Sequence, residues 1–187
     1  MEIHLIRHST PNIAKGVCYG QTDISLNENV FAEELKHIKT KLPNGIQHFY
    51  TSPLQRCKKL THQLTSNYTE HSQLMELNFG DWENKYWNEL DKDQVNIWMN
   101  DFVNIQAPNG ENYLDLHERT INFIETLLST NYDRVCIVTH AGNIRSFISW
   151  TLDLTLENSF RIELGYGAMV SIKVNRDKCL NKLISIQ

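Results

Sequence analysis

The chain has 187 residues, 41% of them hydrophobic, with 18 basic against 22 acidic side chains and a formal net charge of -4. That length suits one domain around one substantial core, and the slightly acidic balance excludes a global basic field that would recruit nucleic acid or an anionic membrane. No apolar run reaches the roughly 18 residues of a membrane span, and Cys18, Cys57, Cys136 and Cys179 form no C-x-x-C, so the reading is a soluble, cytoplasmic protein with reduced thiols.

Ile3-His4-Leu5-Ile6 is a short apolar run that ends in Arg7-His8-Ser9-Thr10-Pro11, the pattern of a buried strand delivering a cation and a nucleophile to its C-terminal end. Asn12 to Ile24 has no sustained period and reads as a long loop. Asn27 is an N-cap, with Leu26 and Phe31 as a staple and Phe31, Leu35, Ile38 and Leu42 as the apolar stripe of a covering helix. Gln47 to Thr51 is a second strand, and Ser52-Pro53 is read as the cap and first position of the next helix, whose buried face is Leu54, Cys57, Leu60 and Leu64.

Between residues 67 and 110 the pattern weakens into an acidic, turn-rich and aromatic stretch, read as a lid-like insertion over the site. Asn112, with Asp115 three residues on, starts a helix through Leu116, Thr120, Phe123 and Leu127. Val135 to Thr139 is a strand ending in His140, followed by a helix from Gly142 to Leu152. Phe160 to Leu164 is read as a short strand, and Met169 to Val174 with Leu180 to Ile186 as a terminal hairpin. The alternation predicts a three-layer α/β/α sandwich around a mostly parallel sheet.

Two strands that finish in histidine place His8 and His140 in one crevice, because ligands of open α/β sheets bind beyond the carboxyl ends of the strands. Arg56 lies in the first turn of its helix, where the dipole disfavours a cation unless an anion is bound. Arg7, Arg56 and free helix-start amides can hold a phosphate, with His140 as a third cationic contact. A neutral His8 can attack phosphorus in line. Glu76 can protonate the leaving oxygen, against Asp81, Glu83 and Glu111 as rival acids. His4, His37, His48, His62, His71 and His117 are read as structural, and Trp82, Tyr86, Trp87 and Trp98 mainly as packing. No Walker-type motif or metal-ligand spacing is present, so neither a metal nor a cofactor is expected.

Leu5-Ile6-Arg7-His8, Thr51-Ser52-Pro53-Leu54-Gln55-Arg56, Glu76 with Phe79-Gly80-Asp81-Trp82-Glu83, Gly110-Glu111 and Thr139-His140-Ala141-Gly142 together resemble, in order and spacing, the histidine phosphatase superfamily that includes phosphoglycerate mutases. The resemblance runs from Met1 to about Ser171. It implies a phosphoglycerate mutase-like fold and a metal-independent phosphomonoesterase in which His8 is phosphorylated, Arg7, Arg56, His140 and Ala141 hold the phosphate and Glu76 is the proton donor. The Phe79 to Glu83 run and the Asn109 to Asn112 turn look most like α-ribazole-5'-phosphate phosphatases of cobalamin assembly. A broad sugar-phosphate phosphatase, a mutase and a non-catalytic phosphate-binding module are the alternatives. Ser9 stands where the family signature has glycine, and Ala14 where many members have asparagine, with Asn12 or Tyr19 as possible substitutes. The expected partner is a small-molecule phosphomonoester, with no nucleic acid and no membrane; oligomeric state is not legible.

Overall fold

A computed structural model describes residues 1–187. The elements run β1 (Glu2–Arg7), α1 (Glu28–Lys41), β2 (His48–Thr51), α2 (Gln55–Leu64), β3 (Tyr68–Glu70), α3 (Lys92–Asn100), α4 (Tyr113–Leu128), β4 (Arg134–Thr139), α5 (Ala141–Leu152), β5 (Met169–Lys173) and β6 (Lys182–Ile186). One sheet has the order β3-β2-β4-β1-β5-β6. Its first four strands are parallel, and β5 and β6 continue it antiparallel beyond β1. The chain leaves β1 for β2 and later returns to lay β4 between them, which makes the β1–β4 seam the switch point where such sheets bind ligands.

The central strands are apolar on both sides, and alternate residues serve different layers. Ile3, Leu5, Val135, Ile137, Val170 and Ile172 face α4 and α5, where they meet Phe123, Ile124, Ile144 and Phe147. Ile6, Cys136, Val138 and Met169 face the opposite way, onto Phe31, Ile38, Cys57 and Leu60 of α1 and α2. Three layers follow from that alternation. A third cluster joins Cys18, Leu77, Trp82, Leu90, Trp98, Val103 and Ala107 to Tyr113 and Leu116 of α4, so the aromatic stretch packs on itself and on the helix beside the crevice.

Caps set most of the helix starts. Asn27 accepts from the Asn29 amide at the start of α1, and Asn112 and Asp115 form a reciprocal capping box on α4. The start of α2 departs from the expected one. The helix begins at Gln55 with Leu54 at the cap position and no side-chain cap of its own. Ser52 Oγ is instead 2.8 Å from His140 Nε2, and the Gln55 amide donates to Asp23 Oδ1 at 2.7 Å. A carboxylate from a distant loop therefore caps α2, while Ser52 Oγ, beside the histidine, accepts only a long bond of 3.4 Å from the Leu54 amide.

Two further expectations change. Phe160 to Leu164 is not a strand: a 3-10 helix covers Leu156–Arg161 and a loop follows. The sheet edge beside β1 is already filled by β5. The carbonyls a strand would need are also committed, since Ile162 O accepts from Arg145 Nε at 3.0 Å and Leu164 O from Arg7 Nη1 at 2.5 Å. Conversely, β3 has no counterpart among the expected elements. It pairs only with β2 at the sheet edge, and Thr69 and Glu70 are exposed, so it carries little apolar signal.

Candidate active site

The register of β1 against β4 pairs Arg7 with Thr139, and the His8 amide then donates to Thr139 O at 3.0 Å. His8 and His140 are thereby carried off adjacent parallel strands at the same height. Their ring centroids lie 5.1 Å apart, edge to face. The same construction on the other side of β4 sends the Ser52 amide to Val138 O and brings the Ser52 hydroxyl to His140.

His8 is buried, and its Nδ1 lies 2.7 Å from Ser9 O. A carbonyl can only accept, so Nδ1 carries the proton and Nε2 keeps its lone pair. Burial pushes the His8 imidazole well below its ordinary range, and the Arg56 and Arg7 charges push the same way against the opposing Ser9 bond. The result is a neutral ring with a fixed tautomer. His140, fully buried, is driven down for the same leading reason, then by Arg56, His8, Arg119 and Arg7. That direction runs against the third cationic contact expected from His140. Cys57, 3.5 Å from His140 Nε2, is a buried thiol pushed up to about 12, which leaves it packing rather than nucleophilic.

Two guanidinium groups flank the rings. Arg56 is 0% exposed and is held by Gly20 O at 2.6 Å and Thr22 O at 2.9 Å. Arg7 donates to Leu164 O and lies 4.0 Å from the Tyr166 ring centroid. Neither arginine has a carboxylate partner. Arg7 Nε, Arg56 Nε and Ser9 Oγ are buried without any hydrogen-bond partner in the protein. The Ala141 amide stands at the first position of α5, where no intrahelical acceptor exists, so it adds a donor.

Glu76 reaches the same crevice from the other side. Its Oε2 accepts from the Gly142 amide at 3.2 Å and its Oε1 from the Leu77 amide at 3.0 Å. A Cβ at residue 142 would come within 2.3 Å of Glu76 Oε1, so glycine there makes room for the carboxylate. The rival acids are otherwise engaged. Glu83 accepts from the amides of Phe79, Gln21 and Thr22, tying this loop to the one that holds Arg56. Glu111 pairs with Arg119 at 3.0 Å, and Asp81 accepts from the Asn109 side chain.

Beyond the histidines a cleft of about 220 Å³ is lined by Tyr19, Glu76, Phe79, Trp87, Tyr113, Arg145 and Phe160, together with Arg7, Ala141 and Gly142. Of the four aromatics read mainly as packing, Trp87 lines this cleft, Trp82 and Trp98 are buried in the insertion's own core, and Tyr86 is exposed. Ala14 and Asn12 are both exposed. Tyr19 lies nearer the arginines: its ring is 5.5 Å from the Arg56 guanidinium and its hydroxyl 2.7 Å from that of Tyr166. The sequence singles out none of Tyr166, Arg119 and Arg145, and gives Ser52 only as a helix cap. Tyr166 had one usable signal, the Gly165-Tyr166-Gly167 turn just before a strand that must end beside β1. No group of three or more His, Cys, Asp or Glu side chains converges to hold a metal, and no helix is long and apolar enough to cross a membrane.

Residues 3–187 match the family model of the histidine phosphatase superfamily, branch 1. A protein of Hydrogenobacter thermophilus, provisionally named phosphoserine phosphatase 2, is 25% identical over 193 residues, spanning 97% of this chain and 95% of its own. The adenosylcobalamin/alpha-ribazole phosphatase of Escherichia coli is 26% identical over 108 residues, or 56% of this chain and 53% of its own. The crystal structure of the alpha-ribazole phosphatase from Shigella flexneri shares the fold with a TM-score of 0.89 at 24% identity, over 98% of this chain and 95% of that one.

The buried neutral histidines have a consequence for stability. Unfolded, His8 and His140 bind protons near pH 6.5; folded, they resist protonation, so the unfolded state takes up more protons as pH falls. His4, His48, His71 and His117 shift in the same direction, chiefly through burial. Stability to urea in phosphate-free buffer is therefore expected to drop steadily from pH 7.5 to pH 5.5, above the range where most carboxylates titrate. A flat or rising urea midpoint across that interval would contradict the neutral assignment.

Proposed function

The chain belongs to the histidine phosphatase superfamily, and we propose that it hydrolyses phosphomonoesters through a phosphohistidine on His8, with α-ribazole 5'-phosphate as the favoured substrate. The observation that carries the mechanism is the His8 ring. It is buried, neutral and tethered through Nδ1, with Nε2 free beside two guanidinium groups that have no carboxylate.

The chemistry follows from that placement. His8 Nε2 forms a bond to phosphorus as the ester P–O bond breaks. Arg7, Arg56, His140 and the Ala141 amide hold the phosphoryl oxygens as charge builds on them. Glu76 gives its proton to the departing alkoxide. In the second half a water oxygen bonds to phosphorus, Glu76 takes a water proton, and the N–P bond breaks to release inorganic phosphate. None of these steps calls for a metal. Of the aromatic stretch, the part that follows β3, from residue 72 to 110, acts as the lid, contributing Phe79 and Trp87 to the cleft wall.

Substrate choice rests on the rest of the cleft. Tyr19, Phe79, Trp87, Tyr113 and Phe160 give its wall aromatic surface, suited to the flat benzimidazole of α-ribazole. The E. coli relative and the S. flexneri structure carry that substrate in their names, which supports the same reading. One observation favours a second reading, a phosphorylated carboxylic acid such as phosphoserine. Arg145 lines the cleft, half-buried, with Nε on Ile162 O and its guanidinium against Phe160, and no carboxylate pairs with it.

A substrate panel separates the two readings. kcat/KM for α-ribazole 5'-phosphate is expected to exceed that for O-phosphoserine, 3-phosphoglycerate and fructose phosphates. Should O-phosphoserine lead, and lose its lead in Arg145→Gln, the second reading replaces the first. The acid role has its own test. Glu76→Gln is expected to lower kcat/KM for an alkyl phosphomonoester by about 10²–10³, in the range general acid catalysis supplies, and far less for p-nitrophenyl phosphate, whose phenolate leaves without a proton. Equal slowing of both esters would take the acid role away from Glu76.

A further inference from the structure

Glu111 and Arg119 belong to no step above, yet together they hold the main chain around Glu76. Arg119, on the second turn of α4, donates Nε to Glu111 Oε1 and Nη2 to Glu111 Oε2, both at 3.0 Å. Its remaining donors go to backbone carbonyls: Nη1 to Gln73 at 2.8 Å and Met75 at 2.5 Å, and Nη2 to Glu76 at 3.0 Å. Glu111 completes the grip, with Oε2 accepting from the Asn78 amide at 3.0 Å and its own amide donating to Asn78 O at 2.8 Å. The segment is thus fixed at Gln73, Met75, Glu76 and Asn78, on both sides of the acid, by one planar fork and one carboxylate.

The pair is largely shielded, with side chains 16% and 22% exposed. Such an ion pair is weak evidence for stability, since desolvation offsets much of its attraction. Its geometry serves placement better. Every Arg119 nitrogen is used, and all five bonds in which it takes part end on the Glu76 segment or on the residue that grips Asn78. Neither side chain touches the Glu76 carboxylate, which rests on the Gly142 and Leu77 amides.

Resting on the reading of Glu76 as proton donor, we propose that Arg119 and Glu111 are positioning residues that aim the Glu76 carboxyl at the leaving oxygen. A displacement of about 1 Å in such a group is enough to cost about 10²-fold in rate. Lysine at 119 keeps the charge but has no planar fork and cannot serve these acceptors together.

The test compares Arg119→Lys, Glu111→Gln and Glu76→Gln on two substrates, the best alkyl ester of the panel and p-nitrophenyl phosphate, with kcat/KM as readout. Both clasp variants are expected to lose about 10-fold to 10²-fold on the alkyl ester while p-nitrophenyl phosphate hydrolysis changes by less than about 3-fold. In the Arg119→Lys/Glu76→Gln double variant the alkyl-ester loss is expected to match that of Glu76→Gln alone, because a missing acid cannot be misplaced further. Equal losses on both esters in the clasp variants, or losses that multiply in the double variant, overturn the proposal while leaving Glu76 in place. If Glu76→Gln itself shows no ester preference, the acid reading fails and this inference fails with it. Glu111→Gln keeps the side chain's shape, so it decides the matter should Arg119→Lys not fold.

Discussion

The pairing of β1 with β4 is the constraint from which the rest of the site follows. Because the two strands are parallel and in register from Glu2–Arg134 to Arg7–Thr139, the residues that leave them are held at one height, and His8 and His140 are the residues that leave. A slip of one residue would turn each side chain to the other face of the sheet, and the two apolar layers forbid it. Ile3 and Leu5 face α4 and α5, and Ile6 faces α1 and α2, so the packing energy of both layers fixes the register of the histidine pair.

Burial then sets the chemistry. A histidine at the surface would be partly cationic near neutral pH and a poor nucleophile. At the mouth of a double-sided core, between Arg7 and Arg56, the His8 ring is held neutral, and the Ser9 carbonyl selects which nitrogen is free. The same two arginines are left without carboxylates, so their charge is available to the phosphate proposed there. Loops not adjacent in sequence keep them so. Gly20 and Thr22 hold Arg56, Asp23 caps the helix that carries it, and Glu83 ties that loop to the one bearing Glu76.

Much of this was legible in the sequence because it depends on local pattern. Apolar runs ending abruptly in His8 and His140 marked the strand ends, and Arg56 stood out as a cation in a helix's first turn. What escaped notice depends on contacts between distant residues. Ser52 reads locally as an N-cap but is taken by His140, 88 positions away. Phe160 to Leu164 has the composition of a strand, yet its carbonyls serve Arg145 and Arg7. Arg119 looks like an ordinary helix-surface cation until its partners at Gln73, Met75 and Glu76 are seen. The neutral state of His140 is likewise a property of its burial, which sequence spacing does not convey.

The account turns on a covalent bond at one atom, His8 Nε2. Rapid mixing with radiolabelled phosphomonoester, an alkaline quench and peptide mapping would find the label where it forms. Acid-labile, base-stable phosphate on the His8 peptide, absent from His8→Ala and accumulating in Glu76→Gln with p-nitrophenyl phosphate, is the result the account predicts. Turnover without any labelled protein, or acid-stable label on a serine such as Ser9 or Ser52, would contradict it.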